Sequence, residues 1–114
     1  MAFNFEKLSV YQKSLHLSIE LSKLASKFPS SYRRIQDQLI GAVISITLNI
    51  AEGSGRYNKK EKIQFLRIAQ SSAFELIPII DICHGLRLLD KRDWILKIEE
   101  ICKMISGLIK SNQS

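Results

Sequence analysis

Apolar side chains recur along this 114-residue chain at intervals of three and four, the spacing that gathers them on one face of an α-helix. Leu17, Leu21, Leu24 and Phe28 keep that spacing until Pro29, which cannot continue a helix. The pattern predicts a first helix over about 10–28, opened by a capping box at Ser9-Val10-Tyr11-Gln12 and followed by a turn at Phe28-Pro29-Ser30-Ser31. Ile35, Leu39, Ala42, Ile46 and Ile50 carry a second helix over about 32–52, with Val43, Ile44 and Leu48 as apolar surface outside the stripe. Gly53-Ser54-Gly55 reads as its C-terminal cap, where glycine takes the left-handed geometry.

Asn58, with Glu61 three residues later, restarts the chain as a third helix over about 59–89. Its inner face is Ile63, Leu66, Ala73, Ile77 and Ile80. Pro78 predicts a kink rather than a break, because the apolar pattern keeps its phase across it. Asp90 is the expected N-cap of a fourth helix over about 91–110, striped by Trp94, Ile98, Ile101, Ile105 and Leu108. Nothing alternates with period two over a useful length. The chain is therefore predicted to be all-α, a single domain over 1–114 folded as an antiparallel up-down-up-down four-helix bundle. The second helix has apolar residues beyond its stripe, and the fourth adds Ile95, Cys102 and Ile109 beside its own. This excess predicts a homo-oligomer larger than a dimer.

Charge sharpens the choice of partner. Lys plus Arg number 17 against 11 Asp plus Glu, a net charge of +6, which favours an acidic partner such as RNA or DNA. The longest charge-free stretch, Gln38 to Ala51, is shorter than the roughly 18 to 20 apolar residues that span a bilayer, so no membrane association is expected. Met1 to Leu8 lacks the basic-then-apolar order of a secretory signal, and the expected location is cytoplasmic. Cys83 and Cys102 fall within apolar helical patterns, without the paired spacing of a zinc site, and read as small buried hydrophobes.

The residues Phe5-Glu6-Lys7-Leu8-Ser9-Val10-Tyr11-Gln12-Lys13, Phe28-Pro29, Ser45-Ile46 and Asn49-Ile50-Ala51-Glu52-Gly53-Ser54-Gly55-Arg56 together carry a family likeness. The likeness continues through Glu61, Phe65-Leu66, Ala69 and Glu75 and covers nearly the whole chain. The chain resembles the 23S rRNA intervening-sequence protein family, small bacterial four-helix-bundle proteins. The resemblance implies a ring-shaped homo-oligomer, commonly a pentamer, with no established enzymatic activity. Members are similar in fold to the accessory protein of diversity-generating retroelements, a basic barrel. That similarity implies nucleic-acid binding and association with a nucleic-acid-processing protein. Two positions depart from the family pattern: Ile40-Gly41, where a basic pair usually stands, and Pro78.

Asn49, Glu52 and Arg56 are three and four apart, so Glu52 is expected to pair with Arg56 or to accept amides from the third helix. Asn49 is expected to bridge helices in the bundle interior. With Gly53, Gly55, Glu61 and Glu75 these residues form a candidate structural motif rather than a catalytic one. Gly53-Ser54-Gly55 follows no strand and precedes no Gly-Lys-Ser/Thr, so it does not qualify as a phosphate loop. Asp81 and His84 have the spacing of one half of a di-iron site, with His16 and Glu20 as further donors, but the second acid-and-histidine pair is missing. No metal, cofactor or catalytic residue is expected. The densest basic segment is Arg56, Lys59, Lys60, Lys62 and Arg67, joined by Arg33 and Arg34 as candidate nucleic-acid contacts. Lys60, Gln64, Arg67, Ser71 and Glu75 share one polar stripe, and no aromatic residue is expected to interleave the basic segment as a stacking platform. The competing expectation is a protein-only scaffold whose positive charge serves solubility.

Overall fold

The computed structural model describes residues 8–113. The Phe5-Glu6-Lys7 start of the family motif and most of the N-terminal stretch weighed for a signal lie outside them. Four α-helices occupy the described residues: α1 over Ser9–Ala25, α2 over Arg33–Ser54, α3 over Lys59–Gly85 and α4 over Lys91–Ser111. One 3-10 turn, Ser30–Tyr32, leads into α2. Each helix packs against its neighbours in sequence and α1 closes the bundle against α4. The α2–α3 seam is the most extensive and the α1–α4 seam the sparsest.

The start of α1 differs from the sequence reading. Leu8 is the N-cap and makes no side-chain cap bond, so Ser9 falls inside the first turn and the expected capping box does not form. The α-helical part of α1 ends three residues early, at Ala25, where the chain tightens into i→i−3 turns, Lys27 N–H bonding the Leu24 carbonyl and Phe28 N–H the Ala25 carbonyl, before Pro29. Phe28 still folds back into the core. Gln36 Nε2 closes the corner by donating to the Ala25 carbonyl at 2.7 Å.

Leu39, Ala42, Ile46 and Ile50 of α2 are buried as the stripe predicts. Val43, expected outside that stripe, is fully buried, because α2 packs on both α1 and α3 and so buries a wider arc. α2 also runs two residues beyond its predicted end. Gly53 lies within the helix, and Gly55 caps it at φ −83 in right-handed geometry, so the left-handed glycine cap is not formed. Gly53 is needed for a different reason. A Cβ there would stand 3.2 Å from both the Lys62 carbonyl oxygen and Phe65 Cβ, a tight approach that a side chain would relieve by pushing its neighbours a few tenths of an ångström apart.

Asn58 caps α3 as predicted, its side chain accepting from the amides of Lys60 at 2.8 Å and Glu61 at 3.3 Å. The helix runs unbroken through the exposed Pro78 and stops at Gly85, four residues short of its predicted end. There Leu88 N–H bonds the Cys83 carbonyl and Arg87 N–H bonds the His84 carbonyl, the paired bonds of a Schellman ending. Arg87 takes the left-handed position at φ 62 that glycine usually fills. α4 starts where predicted, with Asp90 accepting from Arg92 N–H at 3.0 Å. That bond, before the nearby charge of Arg92, holds the Asp90 carboxyl below its ordinary range.

Cys83 is buried and Cys102 half-buried; both are free thiols, and burial raises the pKa of each. The apolar excess expected on α4 is largely absorbed, since Ile109 is in the core and Ile95 and Cys102 pack against it. On α2 it remains outside: Ile44 and Leu48 are exposed, Leu48 by 60%.

The two glycines within α2, Gly41 and Gly53, should respond oppositely to alanine. Gly41→Ala meets nothing within 4 Å and should stabilise the fold by about 0.5–1 kcal/mol through helix propensity. Gly53→Ala gains the same propensity but forces α3 away, and a net loss of about 1 kcal/mol or more is expected. Urea denaturation of both variants checks the contrast; equal shifts of the same sign would contradict it.

Candidate nucleic-acid interface

The residues of the Asn-Ile-Ala-Glu-Gly segment sit at the end of α2 where the chain turns into α3. Glu52 Oε2 accepts from Arg56 Nη2 at 2.8 Å, the pairing the spacing predicts, but both side chains are about half-exposed. The same Arg56 guanidinium lies 4.9 Å from the centroid of the Phe65 ring, so it is held from two sides. Asn49 does not bridge helices itself. Its Nδ2 donates to the Ser45 carbonyl at 2.8 Å and to Ser45 Oγ at 3.1 Å, and Ser45 Oγ reaches across the seam to Ser72 Oγ at 2.7 Å. An asparagine four residues along its own helix finds the i−4 carbonyl before it reaches a neighbour, and the shorter serines make the crossing. Glu61 and Glu75 are exposed. Glu75 carries no ion pair among the described residues.

The candidate cations fall into two groups. Arg33 and Arg34 begin α2, whereas Arg56, Lys59, Lys60 and Lys62 lie beyond its other end, about 30 Å away along the helix axis. The seven do not form one patch. Lys60 and Arg67, seven residues apart, share the outer face of α3 and are exposed. Lys62 is half-buried and two positions round the helix from Lys60, so it faces elsewhere. Lys60, Lys62 and Arg67 carry no ion pair among the described residues.

The structure corrects the reading of the aromatic residues. Tyr57 stands within the basic segment, between Arg56 and Lys59, and is fully exposed. Phe74 is 57% exposed, seven residues past Arg67 on the same face of α3. Their positions were legible in the sequence, since 60, 67 and 74 repeat at two helical turns, but aromatic residues are usually assigned to the core. Ile68, 42% exposed, is likewise outside the stripe predicted for α3.

Asp81 and His84 serve the α3–α4 corner. His84 Nδ1 accepts from Lys91 N–H at 3.1 Å, and Asp81 Oδ1 pairs with Lys91 Nζ at 3.4 Å. His16 borders a separate cleft between α1 and α4, spanned by the Lys13–Glu100 ion pair. No group of three or more metal-binding side chains converges among the described residues. No helix among them is long and apolar enough to cross a membrane.

These features define an antiparallel four-helix bundle with Lys60 and Arg67 exposed on the outer face of α3 and Ile44 and Leu48 uncovered on α2. Residues 6–107 match the sequence profile of the 23S rRNA-intervening sequence protein family, and the chain belongs to that family. None of the curated proteins compared with the chain matches it.

Because the Glu52–Arg56 pair is open to solvent, Glu52→Ala should cost no more than about 0.5 kcal/mol. Ser72→Ala removes a buried partner of Ser45 and should cost about 1 kcal/mol. Denaturant midpoints for the two variants check this order; a larger loss at Glu52 would show that its carboxylate supports more than one exposed pair.

Proposed function

We propose that the protein is a non-enzymatic homo-oligomer that binds RNA or DNA through phosphates and serves as an adaptor for a nucleic-acid-processing partner. The observation that carries this reading is the outer face of α3, where Lys60 and Arg67 stand exposed without a carboxylate partner among the described residues. Lys59 lies at the same end, and the net charge of +6 favours a polyanion over the whole surface. Assembly multiplies the effect, because each added copy brings another such face into one field. The assembly surface is the outer side of α2, where Ile44 and Leu48 lie uncovered; the family resemblance favours five copies. The Arg33–Arg34 group, at the far end of α2, contributes to the general field rather than to the α3 face.

The same exposed Ile44, Leu48 and Ile68 favour a second reading, in which the oligomer is a protein-only scaffold. Salt separates the two. Binding of mixed oligonucleotides should be strong near 50 mM salt and fall steeply by 200 mM, as phosphate binding requires. Lys60→Gln with Arg67→Gln should weaken every sequence alike and reduce the slope of log affinity against log salt by about 0.7–0.9 for each phosphate no longer neutralised. Absence of binding near 50 mM salt would leave the scaffold reading in its place. A light-scattering mass near 13 kDa would remove self-assembly from both.

A further inference from the structure

Two aromatic rings lie uncovered at the ends of the cationic face, where the fold does not use them. Tyr57, at the tip of the α2–α3 connection, is 102% exposed and so contributes no burial to stability. Its neighbour Arg56 is by contrast held by Glu52 and by the face of Phe65. Phe74 lies at the opposite end of the face, with more than half its surface in water. Between them, Lys60, Gln64, Arg67 and Ser71 follow at four, three and four, one polar line along the outside of α3. Phe74, three residues after Ser71, continues the line at its far end, and Tyr57 stands just before the helix, in the connection that leads into Lys60. Lys60 to Phe74 spans about 20 Å of helix. The carboxylates beside it are Glu75, which shares the stripe four residues past Ser71, and Glu61, one position off it beside Lys60.

Exposed rings offer nothing to a duplex, whose base faces are already stacked on one another; unpaired bases present those faces. We infer that this face of α3 is a path for single-stranded nucleic acid, with bases stacking on Tyr57 and Phe74 and phosphates meeting Lys60 and Arg67 between them. The inference rests on the proposed phosphate binding and narrows its substrate to unpaired strands. Stacking tolerates any base, so the path has little sequence preference. Gln64 and Ser71 add hydrogen-bonding groups to the same line without adding charge.

The test titrates the full-length protein with mixed-sequence oligonucleotides of about 12 nucleotides, within the usual size of such sites. Single-stranded RNA, single-stranded DNA and a duplex of the same length are compared at one salt concentration. Both single strands should bind more tightly than the duplex. Tyr57→Ala and Phe74→Ala should each weaken single-strand binding by about tenfold, leave duplex binding unchanged and leave the salt slope unchanged, because a ring neutralises no phosphate. Lys60→Gln should instead lower the slope for strand and duplex alike. Both rings are on the surface, and circular dichroism checks that the variants fold. Equal affinity for strand and duplex, or ring variants that bind like the native protein, overturns the stacking path while phosphate binding stands. No binding of any nucleic acid overturns both. A Phe74→Ala variant that loses assembly mass rather than strand affinity places that ring between copies and likewise overturns the path.

Discussion

The close approach of α2 and α3 at Gly53 is the constraint on which the rest of the bundle is built. With no Cβ at that position, the Lys62 carbonyl and Phe65 come up against the backbone of α2, and the connection between the helices shortens to Gly55–Asn58. Along the same seam the Ser45 and Ser72 hydroxyls meet at 2.7 Å, which ties the register of one helix to the other. Such a polar contact inside a largely apolar seam is satisfied in only one alignment, so it selects register more than it adds stability. Once this pair is set, Arg56 is brought over Phe65, and Lys59 and Lys60 stand exposed at the start of α3.

The outer helices attach to that pair by different means. α1 docks on α2 through leucine packing and a buried hydroxyl cluster in which Ser18 donates to the Val43 carbonyl and meets Thr47 Oγ1 at 2.8 Å. α4 docks on α3 through its isoleucine stripe, with His84 and Asp81 gripping Lys91 at one end and Gln70 reaching Ser106 toward the other. The α1–α4 seam closes the bundle most loosely and leaves a cleft of about 400 Å³. The outer side of α2 leaves Ile44 and Leu48 exposed, and that of α3 leaves Lys60, Arg67 and Phe74 exposed.

Most of the architecture was legible in the sequence because helices obey a short-range rule. The spacing of Ile98, Ile101 and Ile105 places them in the core, and Asn58 and Asp90 cap the helices they precede, whatever surrounds them. The features that were not legible depend on what lies across a seam. Gly53 looks like a helix ending in one dimension and proves to be a point of close approach in three. Val43 lies off the stripe yet is buried, since a helix with neighbours on both flanks covers more than one stripe. Phe74 has the composition of a core residue but the phase of a surface one. In the candidate site the cations and their division between the two ends of α2 were legible in the sequence, but not that Lys62 is half-buried while Lys60 and Arg67 share the outer face of α3.

Amide hydrogen exchange under native conditions tests the central place of the α2–α3 pair most directly, because exchange ranks segments by the free energy needed to open them. The slowest amides should be those of the facing core turns, around Ile46 and Ile50 in α2 and Ala69, Ala73 and Leu76 in α3. Amides of α1 and of the C-terminal half of α4 should exchange first. Slower exchange in α1 and α4 than in α2 and α3 would contradict the account and place the organising interaction elsewhere in the bundle.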